Sequence, residues 1–143
     1  LITKEKSANG IGQLINGIYY SNLLLHLLIS VNRFYSVALP LKYGTIFDRK
    51  KTKIMVFFII TTAVGFFMGS QFYPGCSYVF DITFYTWSYG ESECGQFFAG
   101  FEFYFHITLL IIVVAIDIIT FRKLLAKKVR FFFTIFNFQE SFA

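Results

Sequence analysis

Three runs of apolar residues, each long enough to cross a lipid bilayer, leave this chain few folds to choose from. They cover residues 9–31, 54–72 and 98–121 of 143. A helix rises 1.5 Å per residue, so about twenty such residues span the hydrocarbon core. Inside hydrocarbon the backbone must satisfy its own hydrogen bonds, and a helix does so within one segment. The expected fold is therefore all-α, a multi-span transmembrane helical bundle. Composition agrees: 56% of the residues are hydrophobic and 15% charged, against roughly a quarter charged in an average soluble chain. A soluble protein of this size would not hide so much apolar surface, so the lipid bilayer is the expected solvent.

The charges are few and sorted. Arg33, Lys42, Arg49, Lys50, Lys51 and Lys53 crowd residues 32–53, with Asp48 against them. Residues 73–97 carry Asp81, Glu91 and Glu93 and no lysine or arginine. Arg122, Lys123, Lys127, Lys128 and Arg130 fill residues 122–130. Basic loops stay cytoplasmic. The expected order is an inward helix, a cytoplasmic loop 32–53, an outward helix, an extracellular loop 73–97, an inward helix and a cytoplasmic loop 122–130. A partial helix follows at 131–143. The net charge of +5 is thereby explained by topology, and no nucleic acid partner is expected.

Cys76 and Cys94 both fall in the acidic loop. A bridge between them would suit an oxidising outside; two free thiols are the other reading. In the same loop, alternating β-branched and aromatic residues from Val79 to Trp87 suggest a short hairpin. Gly65 and Gly69, four apart, form a small-residue face suited to close helix contact. The chain begins at Leu1 without the features of a signal peptide and reads as the interior of a longer protein.

One stretch says more. Residues 31–43, VNRFYSVALPLKY, leave the first apolar run at Asn32-Arg33-Phe34 and then pass Pro40, Leu41, Lys42 and Tyr43. This resembles the signature at the inner end of the third helix of rhodopsin-like G-protein-coupled receptors. Their Asp-Arg-Tyr is followed by a proline seven residues after the arginine, then a leucine, and a tyrosine ten residues after it. NRF with PLKYGTIF, then GCSY, TWS, a second cysteine, IDIITFRKL and KKVRFFFTIFNFQES are similar to the nematode serpentine receptor class x chemoreceptors.

The resemblance implies a chemosensory receptor of the plasma membrane. The fragment would cover about helices three to five and the start of six of a seven-helix bundle. It implies a small-molecule ligand bound from outside and signalling to a heterotrimeric G protein, with no cofactor, no metal and no catalysis. Asn32, Arg33, Phe34, Pro40, Leu41 and Tyr43 would serve G-protein coupling. Ala8 stands where such receptors carry a helix-three cysteine, which leaves Cys76 and Cys94 to pair with each other. Ile15 stands where amine receptors carry an acid, so the resemblance does not imply an amine ligand.

Other residues keep two readings. Asn16 and Tyr19, in the outer half of the first run, are candidate ligand contacts or helix–helix hydrogen-bonding groups. Phe103, Tyr104 and His106 line a pocket or face lipid, and Glu102 is interfacial. His26 reads as a packed, hydrogen-bonded histidine. Asp117 is either a partner for a base near the inner face or an acid snorkelling toward the interface. The first reading expects it to pair with Arg33, because Asn32 offers no carboxylate. A small multi-span transporter or channel subunit is the rival to the receptor, supported by the polar residues Asn16, Tyr19, Asn22 and His26. A non-functional receptor gene fragment is a third reading. No nucleophile–base pairing or metal-ligand cluster suggests an enzyme.

Overall fold

The computed structural model describes residues 2–140 except 71, 74, 77, 82 and 84, with side chains described between residues 10 and 130. In chain order the elements are α1 (Ile2–Ala38), α2 (Pro40–Ile46), α3 (Arg49–Ser70), β1 (Tyr78–Asp81), β2 (Thr86–Tyr89) and α4 (Glu93–Glu140). Three helical stretches are long and apolar enough to cross a membrane: Gly10–Ala38, Arg49–Ser70 and Glu93–Arg130.

The helices overrun the apolar windows at their charged flanks. Lysine and arginine are good helix formers, so a helix need not end where hydrophobicity does. α1 continues past Val31 until Pro40 intervenes; the residue before a proline is driven from helical geometry, and Leu39 has φ −135° and ψ 61°. Pro40 then opens α2 at a position where its missing N–H costs nothing. Residues 122–130, expected to form a loop, are instead helical and continuous with 131–140. No glycine or proline occurs between Phe101 and Glu140 to break α4.

α1 is the central helix and packs against both α3 and α4. Its buried face runs Gly12, Gln13, Asn16, Gly17, Tyr20 and Ser21, an i, i+4 stripe. Tyr20 stacks on Phe67 of α3 with ring centroids 4.8 Å apart, and Ala63, Leu23, Leu24 and Phe105 complete this core. The close approach of α1 to α3 is made at Gly17. A Cβ there would lie 2.9 Å from the Val64 Cα. Gly65 and Gly69, expected to mediate such contact, have open space beside them. Ala63, Phe67 and Ser70 carry the buried face of α3, and Gly65 lies about 160° around the helix from Ala63, counting 100° per residue.

The hairpin anticipated around Val79 to Trp87 forms as the antiparallel pair β1–β2, with Phe80 opposite Trp87 and Tyr78 opposite Tyr89. Cross-strand partners and every second residue share a face, so Tyr78, Phe80, Trp87 and Tyr89 make one aromatic face. That face lies on α1: a side chain at Gly12 would collide with the Trp87 ring and the Tyr78 carbonyl. Cys76 and Cys94 are disulfide-bonded, with Cα atoms 5.1 Å apart. The bridge ties the segment before the hairpin to the first turn of α4.

Candidate functional site

At the hairpin end, α1, α4 and β2 line an open hollow of about 570 Å³. Tyr19 and Tyr20 come from α1, Trp87 and Tyr89 from β2, and Glu102, Phe103, His106 and Ile107 from α4. The spacing 99, 102, 103, 106, 107 is one helical face, so α4 presents an acid, a histidine and apolar groups together.

A hydrogen-bonded cluster forms one wall. Asn16, 6% exposed, donates through Nδ2 to the Tyr89 hydroxyl at 2.9 Å and also to Glu102 Oε1. Tyr89 donates its own hydroxyl to the same oxygen. The Tyr20 hydroxyl donates to the Glu102 backbone carbonyl at 3.2 Å. Burial, followed by the bond to Glu102, pushes the Tyr89 phenol well above its ordinary pKa. Burial and the neighbouring Glu102 likewise raise Tyr78. Both hydroxyls therefore keep their protons at neutral pH, and Tyr89 stays a donor.

Between the same two helices, the Tyr19 hydroxyl and His106 Nδ1 are 2.9 Å apart, with nearly parallel rings. Of the four residues expected to meet a ligand, Asn16 is buried in the polar cluster, Tyr19 and His106 form a bonded pair, and Phe103 lines the rim while largely exposed. Sequence reasoning missed Trp87 and Tyr89 as wall residues and took Glu102 for an interfacial group. The available signal was Glu102 itself, since an acid inside an apolar span is costly and rarely idle. His26, expected to be packed, is exposed.

Gln13 stands one turn before Asn16 on α1. It is fully buried and donates Nε2 to the Cys76 carbonyl at 2.9 Å. This hydrogen bond links α1 to the disulfide loop.

At the basic end, Arg33 is exposed. Asn32 is half-buried, and its Oδ1 is buried without a hydrogen-bond partner in the structure. Phe34 lies beneath Lys123 Nζ, 5.0 Å from the ring centroid, and Lys127 donates to the Val37 carbonyl. Lys123 and Lys127 thus meet Phe34 and the Val37 carbonyl, while Arg33 stays exposed. Arg33 and Asp117 form no ion pair among the described residues, contrary to expectation. Asp117 is offset by one residue from Ile116, which shares a face with Lys123. α2 holds Pro40 at its start, Leu41 at 95% exposure and Tyr43 stacked on the buried Phe47.

No group of three or more His, Cys, Asp or Glu side chains suited to a metal occurs among the described residues.

Three helices long and apolar enough to cross a membrane, with α1 packed against both α3 and α4, mark a multi-pass integral membrane protein. The family model described as "Serpentine type 7TM GPCR chemoreceptor Srx" matches residues 2–134, and the chain belongs to that family. No curated protein and no solved structure was found to match it.

Proposed function

We propose that the chain binds a small ligand from outside in the hollow beneath the hairpin and signals to a heterotrimeric G protein from its basic end, at the plasma membrane. The single observation that carries this reading is the hollow's construction. Polar groups from α1, α4 and β2 converge on an otherwise aromatic cavity, which is how ligand sites combine affinity with orientation. The acidic hairpin end faces out and the basic segments face in, in keeping with the positive-inside rule.

Coupling falls to Asn32, Arg33, Phe34, Pro40, Leu41 and Tyr43. Leu41 stands nearly free of the chain on a short helix begun by Pro40 and braced by the Tyr43–Phe47 stack. An exposed apolar side chain on a rigid support suits an apolar pocket in a partner. The exposed Arg33, next to Phe34 but making no ion pair among the described residues, is ready for a carbonyl or carboxylate of that partner. No chemical step is involved.

The test is nucleotide exchange on a G-protein α subunit in membranes holding the receptor. Exchange should rise with an active odorant and fall to background in Arg33→Ala at equal surface expression. Exchange indifferent to Arg33→Ala would sink the coupling reading.

A further inference from the structure

We infer that the ligand of the hollow is a protonated amine carrying an apolar body, held by the Glu102 carboxylate. The inference rests on the ligand-pocket reading above and deepens it by naming the ligand's charge.

Both donors on the polar wall converge on a single oxygen of Glu102. Asn16 and Tyr89 each donate to Oε1. Oε2 accepts no hydrogen bond from a described residue, and it is not among the fully buried polar atoms. It is therefore accessible, on a residue that lines the hollow. An ionised carboxylate only accepts hydrogen bonds, so the group that completes it must donate.

Charge narrows the donor further. An ionised group within a membrane span is costly unless paired. No lysine or arginine lines the hollow. None occurs between Ser7 and Asn32, nor between Ile54 and Phe121. Lys6 stands ten residues up α1 from Asn16, about 15 Å along the axis. The carboxylate thus has two neutral donors on one oxygen and no lysine or arginine among the described residues of the hollow, and His106, one turn along α4, has its Nδ1 engaged by Tyr19. A ligand ammonium supplies both the missing donor and the missing charge.

The remaining walls suit the rest of such a molecule. Tyr19, Trp87 and Phe103 line the same hollow as Glu102 with aromatic rings, and Ile107 adds an aliphatic side chain. Aromatic faces attract a cation electrostatically and accept an apolar body. Ile15, on α1, leaves that helix without the acid used by amine receptors; Glu102 brings one from α4 instead.

The experiment compares three probes of one shape on the purified full chain in lipid nanodiscs: phenethylamine, 2-phenylethanol and phenylacetate. Binding is read by thermal unfolding across a concentration series. Phenethylamine should bind at least tenfold more tightly than the alcohol, and phenylacetate should not bind. Glu102→Gln keeps an acceptor for Asn16 and Tyr89 and removes only the charge, so it should abolish the preference for the amine. The three-probe comparison on the unaltered chain stands even where that variant does not fold. Equal or tighter binding of the alcohol overturns the amine inference while leaving a ligand pocket in place. Amine binding unchanged in folded Glu102→Gln also overturns it. Binding of none of the three overturns it as well, and the receptor reading is then decided by nucleotide exchange alone.

Discussion

Gln13 and Cys76 lie 63 residues apart and are joined by one hydrogen bond, from the buried Gln13 amide nitrogen to the Cys76 carbonyl at 2.9 Å. The other amide oxygen of Gln13 is buried without a partner in the structure. Gln13→Leu removes the donor and that orphaned oxygen together, so its net cost should be modest, about 1 kcal/mol. Its larger effect should be local. Hydrogen exchange of the hairpin amides should accelerate while that of the α1–α3 core stays slow. Unchanged hairpin protection would show that the clasp does not hold the loop.

The Cys76–Cys94 bridge closes a loop with a sequence separation of 18. In the chain-entropy account such a crosslink contributes roughly 3 kcal/mol. Peptide mapping without reduction should recover the linked pair. Cys76→Ser with Cys94→Ser should lower the melting midpoint of the detergent-solubilised chain. Quantitative alkylation of both thiols in unreduced surface protein would refute the pairing.

Gly17 and Gly65 should respond in opposite ways to the same substitution. A side chain at Gly17 meets the α3 backbone, whereas one at Gly65 meets open space. Gly17→Leu should force α1 from α3 and cost at least about 1–3 kcal/mol, the usual range for overpacking. Gly65→Leu should leave stability within about 0.5 kcal/mol. Size-exclusion profiles and melting midpoints of the two variants read this directly; equal damage from both would contradict the observed packing.

Orientation is tested with short epitope tags. A tag near Gly90, beyond β2, should be labelled on intact cells. One near Asp48, where the chain enters α3, should require permeabilisation. Labelling at Asp48 without permeabilisation would invert the topology and remove the basis for both the ligand and the coupling sites.

Arg33 and Asp117 should behave independently. Lys123 and Lys127 of α4 contact the Phe34 ring and the Val37 carbonyl, and Arg33 makes no ion pair among the described residues. Asp117→Asn should leave basal nucleotide exchange unchanged, while Arg33→Ala removes the ligand-driven part. A rise in basal exchange with Asp117→Asn would restore the resting ion pair that the sequence suggested.

The membrane-spanning class, the family and the pairing of the two cysteines were legible from residues alone, and for a physical reason. Lipid imposes a length and a polarity that only long apolar runs satisfy. A motif such as Asn32-Arg33-Phe34 with Pro40, Leu41 and Tyr43 is a pattern along the chain, and two cysteines in one loop leave little choice of partner. Helix ends were less legible, because Arg49–Lys53 and Arg122–Arg130 are polar enough to resemble loops yet favour helix.

Helical phase and cross-chain convergence were decided by tertiary structure. Whether Gly17 or Gly65 met a neighbouring helix, and whether Arg33 faced α4, depended on how each helix was rotated about its axis. An apolar span surrounded by apolar solvent carries little amphipathic signal to set that rotation. Glu102 looked like an interfacial acid because its partners, Asn16 and Tyr89, lie 86 and 13 residues away. Only when α1, the hairpin and α4 pack together do both donors converge on one carboxylate oxygen.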